Sequence, residues 1–117
     1  MIPAGVQIFV ALEPVDMRLG FERLGGLVRE RIGYEPRSGA LFLFVGRRRE
    51  TLKILFFDGS GMCVFSKRLD RGSFALPKAV REDVTHVEVD DAGLEALLDG
   101  VEIARAPAPK KPPRRVH

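Results

Sequence analysis

The sequence predicts an α+β domain: an antiparallel sheet of about five strands, one amphipathic helix on a face and a short C-terminal helix. Three observations predict it. Apolar, β-branched and aromatic runs at 41–45, 52–57 and 62–69 follow one another across links too short to hold a crossover helix. Apolar residues recur at helical spacing from Met17 to Ile32. The chain of 117 residues, 45% hydrophobic and 30% charged, is the size of one domain with one core, which needs no metal or disulfide to hold it.

The elements follow in order. Residues 6–12 (VQIFVAL) form a first strand that ends before Pro14; which neighbour it pairs with is left open. Asp16 is placed to cap a helix over 18–32, whose apolar face is Met17, Phe21, Leu24, Val28 and Ile32, widened by Leu27. Gly20, Gly25 and Gly26 each cost about 1 kcal/mol in a helix interior, which suggests close packing against the sheet. Gly33 stands where a C-cap belongs, and Pro36, Ser38 and Gly39 form the next loop. The three apolar runs then read as a meander, turning at 46–50 and at Asp58-Gly59-Ser60-Gly61. The middle run is apolar on both alternating sets except at Lys53, so both its faces are covered. Residues 74–77 are read as closing the sheet edge, with Pro77 ending it. His86–Val89 alternates weakly, and Asp90 or Asp91 caps a helix through Leu94, Leu97 and Leu98 that stops at Gly100. The globular domain is thus 1–104, and the proline-rich basic segment 105–117 is read as a disordered tail.

Several function classes recede. No apolar run approaches the roughly 20 residues of a bilayer span, and no basic segment precedes a hydrophobic start as in a signal peptide, so a cytoplasmic protein without a membrane partner is expected. Cys63 stands alone, which excludes an internal disulfide, and His86 and His117 are too far apart in sequence for a clustered zinc site. No GxxxxGK[ST] loop exists, and Gly59-Ser60-Gly61 lies between strands, with Val64 where a dinucleotide fingerprint needs glycine. Cys63 reads as a small buried hydrophobe rather than a nucleophile served by His86, which itself reads as a packed strand residue. Asp58 is explained by its turn and Asp90 and Asp91 by capping, leaving no converging carboxylates for a metal-dependent nuclease. The expectation is a protein that is not an enzyme and uses no cofactor.

Charge is the stronger signal, because it falls in blocks. Residues 1–81 carry a balance of +6, residues 82–104 a balance of −8 with no basic residue, and residues 105–117 a balance of +5. Two readings fit: a polyanion partner for the basic portions, or an acidic segment folded back onto a basic face. Arg47, Arg48 and Arg49 occupy one hairpin loop, Lys53 follows on the strand, and Lys67, Arg68 and Arg71 lie on and after the next hairpin arm. Pairing around the Asp58 turn brings Lys53 level with Ser66 and Lys67, so these seven cations share one end of the sheet. They are the candidate DNA-binding residues, suited to phosphates. The alternative is a solvated basic rim with Glu50 and Asp70 as local partners. No aromatic is interleaved, so stacking on single strands has no support.

An ordered series of short matches then carries a resemblance. It comprises Met1-Ile2-Pro3 with Val6, Asp16-Met17-Arg18 with Gly20-Phe21 and Leu24, Ser38-Gly39 with Leu41-Phe42, and Phe44 before Gly46-Arg47-Arg48. It continues through Lys53-Ile54-Leu55, Asp58-Gly59 with Gly61, Lys67-Arg68-Leu69, Gly72 with Phe74, Pro77, and the leucine-rich end at Leu94, Leu97, Leu98 and Gly100. Over about 1–104 the chain resembles the small transposase accessory protein of the insertion sequence 66 family, the TnpB of those elements. The RNA-guided nucleases that share that name are different, larger proteins. Phe56-Phe57 replaces tryptophans common in the family, keeping aromatic volume, and 74–76 also lacks a tryptophan. The resemblance implies a bacterial mobile element and a factor required for efficient transposition. Its implied partner is a separate transposase, and the basic clusters add DNA, so a non-enzymatic factor that binds DNA and helps the transposase assemble on element ends is expected. The alternative is a protein adaptor that docks on the transposase, or self-associates as a homo-oligomer, through the acidic segment 82–104.

Overall fold

The computed structural model describes residues 5–79 and 81–100. Five strands, β1 (Ile8–Ala11), β2 (Leu41–Val45), β3 (Thr51–Phe57), β4 (Met62–Arg68) and β5 (His86–Val89), make one sheet in the order β4-β3-β2-β1-β5. Two helices accompany it, α1 (Phe21–Leu27), which runs on into a π-helical turn at Val28–Ile32, and α2 (Asp91–Asp99). The α+β class and the five strands match the expectation, with one difference of direction. β2, β3 and β4 form the antiparallel meander and β5 runs antiparallel to β1, but β1 is parallel to β2, so the sheet is mixed. The cause is the long connection between them: α1, the π-helical turn and a 3-10 turn at Pro36–Ser38 carry the chain back along one face before β2 begins.

Alternation along the strands divides the core into two layers. Phe9, Phe42, Phe44 and Leu55 face α1 and pack with Leu24, Val28 and Ile32. Ile8, Val10, Leu43, Val45, Leu52 and Ile54 face the other way, against Leu94 and Leu97 of α2 and the ring of Phe74. β2 lies at the centre, and its residues 42–45 are all buried, as a strand covered on both faces requires. β3 is covered on both faces at 52–55, as expected, with Lys53 half-buried.

Four local expectations are corrected. Asp16 does not cap α1; its carboxylate accepts from the backbone N–H and guanidinium of Arg18, and the helix starts later, after Gly20. Phe21 is 52% exposed instead of buried, because Met17 and Leu19 enter from the non-helical turn ahead of the helix and pack against the core there. The helix glycines do not serve the sheet: Gly25 sits against Pro36, where an added Cβ would lie 3.5 Å from Pro36 Cγ, and nothing approaches Gly20 or Gly26. Residues 74–77 form no strand. Gly72 turns the chain at φ +80°, Phe74 N–H donates to the Arg49 carbonyl at 2.6 Å, and the Phe74 ring drops into the core. Other signals hold: Gly33 ends the π-helical turn in the left-handed region, Asp90 caps α2 by accepting from Gly93 N–H, and Gly100 stops it. The tail 105–117 lies outside the described residues.

The β3–β4 turn rests on Asp58, whose carboxylate accepts from Ser60 N–H, Ser60 O–H and Gly61 N–H. These bonds to the charged form hold its pKa at about 2, below the ordinary 3.8. A carboxylate lowered on folding stabilises fully above its unfolded value, and that contribution is lost as pH falls through about 4 toward 2. Urea unfolding of the wild type and Asp58→Asn across this range is expected to show the wild type's advantage shrinking as the acid is added.

Candidate functional site

The hairpin between β2 and β3 turns through Gly46 to Glu50. Gly46 N–H donates to the Thr51 carbonyl at 3.0 Å, Arg49 N–H donates to the Gly46 carbonyl at 2.9 Å, and Arg49 takes a left-handed conformation, φ +61°. Arg47, Arg48 and Arg49 are therefore held at an exposed tip. A segment from far earlier in the chain packs on this hairpin. Val15 N–H donates to the Val45 carbonyl at 3.0 Å, and Val15 forms a parallel bridge with Gly46. Met17 then lies so close that a Cβ on Gly46 would fall 2.7 Å from Met17 Cγ, so any larger residue there would force the Met17 side chain to shift.

Between the two segments is a cleft of about 310 Å³, lined by Val15, Asp16, Met17, the whole 46–51 turn and Arg68. Arg68 stands opposite Thr51 on β4 and pairs with Glu50 at 3.6 Å. Leu69 N–H donates to the Glu50 carbonyl and Phe74 N–H to that of Arg49, so the chain after β4, with Arg71 on it, returns beside the hairpin. Four guanidiniums thus meet two carboxylates in the cleft wall. Asp16 is held at about 2, first by the Arg18 guanidinium and backbone hydrogen bonds, with the Arg47 charge adding to them. It remains charged at neutral pH and partly offsets the arginines.

The seven sequence-predicted cations divide. Arg47, Arg48, Arg49 and Arg68 line the cleft and Arg71 lies in the adjoining return. Lys53 and Lys67 are drawn elsewhere, onto opposite faces of the sheet. Lys53 Nζ donates to the Leu19 carbonyl at 3.0 Å, ahead of α1, and Lys67 Nζ donates to the Leu98 carbonyl at 2.9 Å, at the C-terminal end of α2 where a cation complements the helix dipole. Lys67→Met is expected to cost about 1 kcal/mol in urea unfolding. Arg18, beside the cleft on the Asp16 turn, was not among the seven. The Asp16-Met17-Arg18 stretch enters the sequence reading as a helix start and as one of the family matches, not as part of the basic patch.

The other chemistry-bearing residues take structural places. Cys63 is half-buried on β4, and burial, reinforced by the Asp58 charge, raises its thiol above the ordinary value, which disfavours the thiolate. His86 stacks edge-on against Phe9 with ring centroids 5.7 Å apart. Thr85 O–H donates to the Arg31 carbonyl at 2.7 Å, so the 3.0 Å contact to His86 requires the proton on Nδ1. Among the described residues no three His, Cys, Asp or Glu converge as metal ligands, and no helix is long and apolar enough to cross a membrane.

The fold defines a small α+β protein whose arginine-rich surface cleft is lined by three stretches of chain, 15–17, 46–51 and Arg68. Comparison with known proteins supplies the family. The family model described as IS66 Orf2 like protein matches residues 6–108, and the chain belongs to this family, one of accessory proteins of IS66 transposition and not known as enzymes. It is 39% identical over 104 residues to an uncharacterized protein, y4hO, of Sinorhizobium fredii, covering 87% of this chain and 88% of that one. To a second from the same organism, y4jC, it is 35% identical over 109 residues, 92% of each chain. No solved structure matches.

Proposed function

We propose that the protein serves IS66 transposition by binding duplex DNA through its arginine cleft, helping the transposase assemble on element ends, and that it acts by binding rather than by catalysis. The observation that carries this reading is the joint placement of Arg47, Arg48, Arg49 and Arg68 around one cleft, with Arg18 beside it. Guanidinium forks at a convex hairpin tip suit the phosphate backbone, which supplies affinity without base readout. The bridge between Val15 and Gly46 fixes the tip before a ligand arrives, so less ordering entropy opposes binding.

The test is fluorescence anisotropy of labelled duplexes, element-end and scrambled, over a salt series, with a full-length variant in which Lys110, Lys111, Arg114 and Arg115 are serine. Four neutralised phosphates give a slope of log affinity against log salt near −3.6, about −0.9 for each. A tail variant that keeps a slope of this size supports the cleft. Binding that disappears with the tail cations, or a wild type without salt-dependent binding, sinks it.

A second reading has its own observation. Asp91, Glu95 and Asp99 stand four residues apart on α2, all exposed, and form an acidic stripe suited to a basic protein surface. In this reading the chain is an adaptor to the transposase. Co-purification that survives nuclease treatment supports it, and loss of co-purification at low salt removes it.

A further inference from the structure

The two edges of the sheet are unlike. β5 is four residues long, carries Glu88 and runs directly into Asp90 and Asp91, so shortness and charge defend it against pairing. β4 is seven residues long, contains no proline, and pairs with β3 in unbroken register from Thr51↔Arg68 to Phe57↔Met62, without a bulge to twist it away. Residues 62–66 bear no charge, and Phe65 is 45% exposed in the middle of the strand.

The direction of the β4 backbone groups follows from the ladder. Asp58 N–H donates to the Gly61 carbonyl and Leu69 N–H to the Glu50 carbonyl, which marks Asp58–Gly61 and Glu50–Leu69 as hydrogen-bonded pairs. In an antiparallel ladder such pairs alternate with non-bonded ones, so Met62, Val64, Ser66 and Arg68 fall in the non-bonded set. Their N–H and C=O groups aim at the outer edge.

We infer that a second copy of this chain pairs antiparallel along β4, with the two-fold axis at Phe65, to make a continuous ten-stranded sheet. The register is self-complementary. Met62 meets Arg68 of the other copy and Val64 meets Ser66, so all four outward residues bond; Phe65 meets its own copy at a non-bonded pair, where side chains lie closest. Charge selects the direction: antiparallel pairing sets Lys67 against Cys63 and Arg68 against Met62, whereas parallel pairing would align Lys67 with Lys67 and Arg68 with Arg68. One strand pair is smaller than a standard interface, so self-association in the micromolar range is expected. The consequence for binding rests on the DNA reading above. Strand rise and spacing put the two arginine hairpins roughly 30–40 Å apart on one face, near the ~34 Å of one duplex turn.

Sedimentation of the full-length protein without DNA, over about 1–200 μM, tests the pairing separately from DNA binding. The wild type is expected to shift from monomer to dimer. Ser66→Pro removes an N–H that faces outward, sparing the β3–β4 ladder, and is expected to weaken dimerisation about tenfold or more. If that variant does not fold, Phe65→Lys, at an exposed side chain, sets two ammonium groups against each other and is expected to do the same. Phe65→Cys in a Cys63→Ser background is expected to form a disulfide-linked dimer on mild oxidation. A wild type monomeric throughout the range overturns the proposal, as does one whose edge amides are protected from exchange without dimerising, which would mean this chain covers its own edge. A dimer unchanged by Ser66→Pro or Phe65→Lys overturns it too. Charge reversal at Arg47, Arg48 and Arg49 is expected to leave the dimer intact, so either reading can fail alone.

Discussion

Replacing Arg47, Arg48 and Arg49 together by glutamate is expected to lower duplex affinity about a hundredfold or more near 0.1 M salt and to flatten the salt slope by about three. Each arginine that neutralises a phosphate releases a counterion, and three such terms multiply. Reversal also sets three like charges against the backbone. The tip is exposed, so the substitutions remove no core packing, and the backbone bonds from Gly46, Arg49 and Phe74 that tie the turn around the left-handed Arg49 involve no arginine side chain. Fluorescence anisotropy checks the affinity and circular dichroism the fold. A variant that binds as the wild type does, with the same slope, removes the hairpin from the interface.

Phe74→Ala is expected to be among the most destabilising single changes, about 3–5 kcal/mol in urea unfolding, with the melting temperature falling by roughly 10–20 °C. Phe74 is fully buried, and its ring packs in the layer formed by Leu52, Val45 and Leu94. Truncation leaves a cavity that the strands above it cannot collapse to fill. Phe65→Ala, at a 45% exposed position, is the control and is expected to cost about 1 kcal/mol or less in the monomer. Because Phe74 N–H also holds the Arg49 carbonyl, the first variant is expected to loosen the arginine hairpin, seen as faster amide exchange at 46–50.

What was legible in the sequence was local. Asp90 three residues before Gly93, Gly33 and Gly100 after helical runs, and the Asp58 turn all act through bonds spanning a few residues, and each holds. The direction of β1 was not legible, because parallel pairing to β2 depends on how α1 returns across the face. The division of the cations could have been read. Once β3 and β4 pair around Asp58, Lys53 lies opposite Ser66 and Lys67 opposite Leu52, and neighbouring pairs in a ladder face opposite sides. A shared end of the sheet was therefore correct for the arginines and insufficient for the lysines. The place of Arg18, paired with the Asp16 of the cleft, rests on a long-range contact, since Met17 against Gly46 joins segments about thirty residues apart.

The lattice of backbone bonds around the hairpin also sets an order in time. Val15 must reach Val45 and Gly46, and Phe74 must reach Arg49, before the arginine tip has a fixed shape. During synthesis the chain therefore carries Arg47, Arg48 and Arg49 well before every bond that fixes their turn can form. A chain interrupted before residue 74 carries the three arginines without the bond that ties down the Arg49 carbonyl.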